Sequence, residues 1–200
     1  MSSVRCHIAI SLDGYAAGPN QSMEDPLGEG GERLHTWMFE PTGDADVRAR
    51  ERVLEGLGAF VMGRNMFGPP GSGDWDGSWR GWWGEDPPYH APVFVLTNYP
   101  REPLEMDGGT TFHFVTDGIE SALEQARAAA GDQDVAIAGG ASTVQQYLAA
   151  GLLDEMHLHI APVILGGGER LLENVGDLRL APVEATGTPA ATHIIYRVVR

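Results

Sequence analysis

The sequence predicts an α/β fold: a mostly parallel sheet, helices on both faces, and an antiparallel hairpin at the end. Three observations carry this. Short continuous apolar runs, such as Phe60-Val61-Met62 and Val93-Phe94-Val95-Leu96, read as strands buried on both faces. Helical patterns alternate with such runs up to residue 160, as strand–helix–strand crossovers require. After residue 178, two strand-like stretches meet near Gly187.

Val4 to Ile10 reads as the first strand, with Cys6 as a small core residue rather than a nucleophile. A loop bearing Gly, Pro and Asp runs from Ser11 to Gly31. Glu32 to Phe39 reads as a helix, with Leu34 and Met38 on one face beside Trp37. Asp44 is suited to cap a second helix reaching Leu57, with Val47, Val53, Leu54 and Leu57 inward. Ala59 to Met62 is a buried strand, and Gly63-Arg64-Asn65-Met66 opens the turn after it. Residues 68–91 are irregular and rich in Gly, Pro and Trp. Val93 to Leu96 is a strand ending at Thr97-Asn98, and Thr111 to Val115 is another of ordinary length. Asp117 is suited to cap a helix to Ala130, with Glu120 completing a capping box. Val135 to Ala138 is a strand, followed by Gly139-Gly140 and a helix over 142–150 that Gly151 closes. Glu155 to Ile160 alternates, and Pro162 to Leu165 leads into Gly166-Gly167-Gly168. Residues 178–186 and 192–199 form the hairpin.

The chain has 200 residues, read as a single domain over 1–200, with 42% hydrophobic and 20% charged residues. No apolar run is long enough to cross a membrane. Met1-Ser2-Ser3-Val4-Arg5 enters a strand at once and does not resemble a signal peptide. One cysteine permits no internal disulfide and no thiolate metal cluster, so the cytoplasm is the expected location. A net charge of −15 repels nucleic acid and anionic lipid. It also repels a nucleotide, so a site for one needs local help from helix ends and arginines. Lysine is absent, which excludes a Schiff-base or P-loop lysine mechanism.

The most informative segment is Val135-Ala136-Ile137-Ala138-Gly139-Gly140-Ala141-Ser142. A buried strand, two glycines and a helix start bring free N–H groups and the positive dipole end together. Such a turn either holds a phosphate or is only a tight turn. In a parallel sheet, ligands bind at the carboxyl ends of strands. Here those ends carry Gly63-Arg64, Thr97-Asn98 and Gly139-Gly140, three candidate phosphate or ribose contacts in register.

Taken in order, Ser11-Leu12-Asp13-Gly14, Val61-Met62-Gly63-Arg64, Val95-Leu96-Thr97, Gly139-Gly140-Ala141, Gly151-Leu152-Leu153-Asp154-Glu155 and Ala161-Pro162-Val163-Ile164-Leu165-Gly166-Gly167-Gly168 resemble one family. It is the dihydrofolate reductase-like superfamily, in the branch of the riboflavin-biosynthesis reductase (the RibD C-terminal domain type). The resemblance covers nearly the whole chain. It implies a mixed, mostly parallel eight-stranded sheet and an NADPH site. Cofactor contacts carry over to Gly63, Arg64, Asn65, Gly139, Gly140, Ala141, Ser142 and Thr143. Thr97 and Asn98 fall near the adenosine end, and Ala17 and Gly18 in the loop over the nicotinamide. Met66 stands where the family often has Thr, and Asn98 where it often has Arg; Arg101 is the substitute cation. The pterin-binding acid of true dihydrofolate reductases aligns with Arg33, one residue from Glu32. Residues 67–76 do not reproduce the ribosyl-phosphate segment of the riboflavin enzymes.

Asp13 and Glu32 are the candidate catalytic groups, Asp13 for substrate binding or proton delivery, or else as a cap of its own turn. Glu32 is equally explained by the helix dipole. Four tryptophans in 75–83 form either an aromatic wall or a loop packed on itself. His157-Leu158-His159 could bind metal, but no third ligand is evident, and no metal is expected. The resemblance implies an NADPH-dependent reductase acting on a small heterocyclic or ribosylamine-derived substrate, similar to 5-amino-6-(5-phosphoribosylamino)uracil reductase, and a homodimer. A nucleotide-binding protein without turnover and a His-x-His metal protein are the alternatives.

Overall fold

The computed structural model describes residues 2–69 and 76–199. Strands β1 (Val4–Ser11), β3 (Leu57–Gly63), β4 (Pro92–Leu96), β6 (Thr111–Val115), β7 (Asp134–Gly139) and β8 (Glu155–Ala161) run parallel, in the order β8-β1-β7-β3-β4-β6. The C-terminal hairpin of β10 (Arg179–Gly187) and β11 (Thr192–Val199) is added antiparallel through β11 on β8. These eight strands are the ones expected. A two-residue edge strand, β5 (Leu104–Glu105), extends the sheet beyond β6. A separate two-stranded ladder joins β2 (Tyr15–Ala17) to β9 (Glu169–Arg170). Strands this short carry too little periodicity to be read from sequence.

Helices α4 (Ile119–Ala130) and α5 (Ala141–Ala149) cover the core face built from Val4, Cys6, Val61, Val135, Ile137 and Met156. Burial pushes the Cys6 thiol up to about 12, so it is inert and the core reading holds. Gly58 allows close contact with α4: a Cβ there would stand 2.8 Å from the Ala130 backbone. Phe60, Met62, Phe67 and Phe112 fill a second core under the segment that precedes β4.

Two helix readings change. The one expected over 32–39 is a 3-10 turn over Gly31–His35 followed by a single α turn, α1 (Thr36–Phe39). Its inward residues are Leu34 and Trp37. Helix α2 (Asp44–Arg52) stops short of Leu57, because Gly56 turns with φ +70° and Leu57 starts β3. Its buried side chains are Asp46 and Ala49, and Leu54 is exposed. Neither expected side-chain cap forms. Gly43 and Gly118 hold the N-cap positions of α2 and α4, with no side-chain hydrogen bond there. Gly118 has φ +93°, a conformation that glycine adopts more easily than Asp117 would.

Candidate active site at the strand ends

The carboxyl ends of β1, β7, β3 and β4 lie side by side. Register pairs Met62 with Gly139 and Gly63 with Leu96, so the glycine turns and Thr97 stand at one level. From β3 the chain proceeds outward through β4 to β6. It then returns by α4 to β7, between β3 and β1, and continues to β8 on the other side. A crevice opens where successive connections diverge in this way.

The two glycine turns touch. A Cβ at Gly63 would meet the Thr143 hydroxyl at 2.5 Å, and one at Gly139, whose φ is +125°, would meet the Met66 sulfur at 3.4 Å. Gly139 and Thr143 are buried, and Ala141 packs into the core. Gly140 differs: it is exposed, its φ is −75°, and a Cβ there would meet nothing within 4 Å. It is the N-cap of α5, whose Ala141 and Ser142 amides have no acceptor inside the helix, while that of Thr143 donates to the Gly140 carbonyl at 3.1 Å. Ser142 is also exposed beside it. The structure thus brings Gly63, Gly139, Gly140, Ala141, Ser142 and Thr143 together, with open space in front of Gly140 and Ser142.

Arg64 and Asn65 follow Gly63 in the single turn α3 (Arg64–Phe67). Arg64 donates to the Pro69 carbonyl at 3.1 Å. Thr97 is buried, and its hydroxyl accepts the Tyr99 amide, whereas Asn98 is exposed next to it. Arg101 donates to the Gly77 carbonyl and lies over the Phe114 ring.

Asp13, at the end of β1, is held. Its two carboxylate oxygens accept the Leu165 amide at 3.1 Å and the Gly166 amide at 2.8 Å. The Ser11 hydroxyl, with these amides, holds its pKa down at about 2 against a weaker opposing effect of desolvation. An ionised carboxylate so occupied has the geometry of a turn cap and no proton to give near neutrality. Asp13→Asn is expected to loosen this turn, read as faster amide exchange at Leu165 and Gly166. The pH dependence of any turnover above about pH 4 should be unchanged. An acidic limb lost on substitution would restore Asp13 as proton donor.

Ala17 and Gly18 are buried where three backbone segments cross. A Cβ at Gly18 would meet the Glu29 carbonyl at 2.2 Å, and one at Gly168 the Ala17 carbonyl at 2.1 Å. Packing alone therefore requires glycine at 18. Sequence reasoning missed Arg170 on β9. It donates to the Tyr15 hydroxyl at 2.8 Å and to the Asp13 carbonyl at 3.2 Å. Its guanidinium lies 4.5 Å over the Tyr15 ring, and its carbonyl accepts Gln145 of α5 at 2.7 Å. Arg170 so ties the loop after β1 to α5. Glu32 is exposed on the 3-10 turn.

Trp75 lies outside the described residues. Trp79 donates to the Phe67 carbonyl, Trp83 stacks with Phe112 and meets Tyr89, and Trp82 meets Trp79 edge-on. The described part of this loop packs on itself and on the second core.

His157 and His159 are buried, and Trp37 of α1 packs on His159. His7 of β1 stands beside His157, and His193 of β11 beside His159. Among the described residues, no group of three or more His, Cys, Asp or Glu side chains could hold a metal ion. His193 Nε2 meets Asp46 at 2.8 Å, and His193 Nδ1 meets His159 Nδ1 at 2.8 Å. Among the described residues, no helix is long and apolar enough to cross a membrane.

A family model described as the RibD C-terminal domain matches residues 2–193. Among solved structures, the chain is similar to a putative riboflavin biosynthesis protein from Shewanella sp. PV-4, with a TM-score of 0.65 and 25% identity over 100% of both chains. It also shares its fold with a pyrimidine reductase-like protein from Corynebacterium diphtheriae, at a TM-score of 0.58 and 17% identity, over 100% of this chain and 92% of that one. A third likeness of fold is to a diaminohydroxyphosphoribosylaminopyrimidine deaminase/5-amino-6-(5-phosphoribosylamino)uracil reductase from Thermotoga maritima. There the TM-score is 0.61 and the identity 15%, over 99% of this chain and 57% of that one. No curated protein matches the chain.

Proposed function

This chain belongs to the RibD C-terminal domain family, and from that premise we propose that it is an NADPH-dependent reductase of a small heterocyclic or ribosylamine-derived substrate. The observation that carries the proposal is the open space over Gly140 at the start of α5, beside the turn at Gly63 and Arg64. Backbone N–H groups converging there suit a diphosphate and supply the local attraction that a chain of net charge −15 needs. NADPH, when bound, supplies the hydride for a C=N or C=O bond. The first turn of α5 and the Ser142 hydroxyl would hold its diphosphate, with Arg64, which follows Gly63, as the nearest cation in sequence to that turn. The Ala17–Gly18 crossing shapes the loop over the reacting end. With Asp13 fixed as a turn cap, the exposed Glu32 is the remaining carboxyl candidate for proton delivery.

Titration with NADPH and NADH, followed by turnover of candidate substrates, tests this reading. Binding of NADPH with turnover of a pyrimidine ribosylamine would support it. Binding without turnover of any substrate would favour a nucleotide-binding role, and no binding would end the proposal. Dihydrofolate is expected to be a poor substrate, turned over below the roughly 1 per second usual for enzymes. Arg33 is exposed where an acid would receive the pterin's N–H donors, and a guanidinium has no acceptor for them. Turnover of dihydrofolate at or above that rate would overturn this.

We also propose the homodimer that the resemblance implies. Strand β8 is covered within the chain, and Trp79 and Trp83 pack on the second core. The terminal hairpin carries two of the exposed large apolar side chains, Val183 and Val199. Pro182 and the register shift beside it interrupt the β10 edge, so pairing through the hairpin face is favoured over edge-to-edge addition. Light scattering at micromolar concentration should give twice the chain mass, unchanged by salt. A monomer mass would refute it.

A further inference from the structure

A reduction that adds hydride to carbon must also deliver a proton to the neighbouring nitrogen or oxygen. Asp13, ionised and engaged as a turn cap, has none to give. Two residues further along the same loop stands Tyr15, and its backbone and ring are both held. Its amide donates to the Ser11 hydroxyl at 2.9 Å. The carbonyl of Gly14 before it accepts the Leu171 amide at 3.0 Å. Tyr15 pairs with Arg170 in the β2–β9 ladder, and the Arg170 guanidinium lies over its ring.

Arg170 gives this phenol a particular chemistry. Its Nη2 donates to the Tyr15 oxygen at 2.8 Å, and a guanidinium accepts nothing in return. The hydrogen of Tyr15 is therefore directed elsewhere, while its oxygen faces a positive charge. A proton that departs leaves a phenolate already paired in a charge-assisted hydrogen bond. Arg170 is itself anchored: Nη1 donates to the Asp13 carbonyl at 3.2 Å, and Nε meets Glu173 at 3.3 Å. The placement suits the site. The Arg170 carbonyl accepts Gln145 at 2.7 Å, and Gln145 lies three residues on from Ser142, on the same face of α5. The Tyr15–Arg170 pair thus adjoins the helix face whose first turn is the proposed diphosphate site, beyond the end of β1 and next to β7.

We propose that Tyr15 is the proton donor of the reduction and Arg170 the residue that positions it, an inference that rests on the reductase reading above. As the carbon of the C=N or C=O bond takes hydride from NADPH, which is oxidised by two electrons to NADP+, the Tyr15 O–H bond breaks and a new N–H or O–H bond forms. The phenolate is held by Arg170 and regains its proton from water.

Two measurements test this. The first needs no substrate. Tetranitromethane nitrates phenolates, and mass spectrometry of peptides reads the rate at Tyr15. That rate should be several-fold lower in Arg170→Gln than in the parent. A loosened loop alone would expose Tyr15 and speed the reaction, so slowing is specific to the lost charge. The second is single-turnover oxidation of NADPH with a pyrimidine ribosylamine. Tyr15→Phe keeps the ring under Arg170, so NADPH affinity should hold while hydride transfer slows on the order of 100-fold or more. If Arg170→Gln does not fold, Tyr15→Phe decides alone. Nitration as fast in Arg170→Gln as in the parent, or a folded Tyr15→Phe that turns over as the parent does, would overturn the inference and leave the reductase reading standing. A parent protein that turns over no substrate would end both.

Discussion

Gly140→Val is expected to weaken NADPH binding at least 100-fold while leaving the fold intact. In most glycine turns such a substitution reports strain. Here it does not, because residue 140 has an ordinary φ of −75° and a Cβ would meet nothing within 4 Å. The valine side chain enters only the space in front of α5. A diphosphate there makes charge-assisted hydrogen bonds to the first-turn amides, each contributing roughly 1.5–3 kcal/mol. Losing two of them costs about 3 kcal/mol or more, which is at least 100-fold in Kd. Calorimetric titration reads the affinity, and thermal unfolding controls for the fold. A folded variant that binds NADPH as the parent does would remove the site from this turn. Gly139 is unsuited to the same test, since its φ of +125° strains any side chain.

The second large effect is acid unfolding governed by the histidine network. Burial first, and neighbouring histidines second, push the pKa of His7 down to about 2 and that of His159 to about 3. Both are neutral in the folded chain, whereas an unfolded histidine titrates near about 6.5. Below that pH the unfolded chain binds protons that the folded chain refuses, so stability falls as pH falls. Each histidine costs about 1.4 kcal/mol per pH unit, so the pair costs ~2.7. Two units of acidification then remove ~5 kcal/mol, comparable with the whole stability of many domains. Asp46 adds to this at lower pH. Burial raises its pKa, but hydrogen bonds from His193, Thr42 and Thr188 outweigh that and hold it below the usual carboxylate value. Its contribution is present above the ordinary aspartate pKa and is lost as pH falls below it. Tryptophan fluorescence should follow the loss, because Trp37 packs on His159. Unfolding is expected to be well advanced by about pH 4. Asp46→Ala, which leaves the His193, Thr42 and Thr188 donors without their acceptor, is expected to cost roughly 1–3 kcal/mol at neutral pH. Urea stabilities that stay level from neutrality to pH 4 would refute the histidine argument.

The parallel strands were legible because they are buried on both faces and read as unbroken apolar runs, β3 and β7 most clearly. The strand-end turns were legible because glycine there has few other uses. Beyond the short strands and Arg170, three further features were not. Helix α2 was overextended because Leu54 and Leu57 continue a helical spacing, yet Leu57 belongs to β3 and Leu54 to the turn between them. The role of Asp13 was undecided because its partners, the Leu165 and Gly166 amides, are remote in sequence and carry no side-chain signal. The Asp46–His193–His159 chain joins α2, β11 and β8. No local pattern announces it, although histidines alternating with apolar residues on β8 are its visible trace.

The contact between Gly63 and Thr143 constrains substitution at both positions. A methyl group at 63 would stand 2.5 Å from the hydroxyl at 143, so the Thr143 side chain would have to turn away to admit it. Alanine at 63 is accommodated most simply by a residue at 143 whose side chain stops at Cβ. Residues in such contact are not independent in their energetic effects. Substitutions in the two glycine turns, encoded far apart in the chain, are thus expected to be energetically coupled. Engineering of either loop has to begin with this pair.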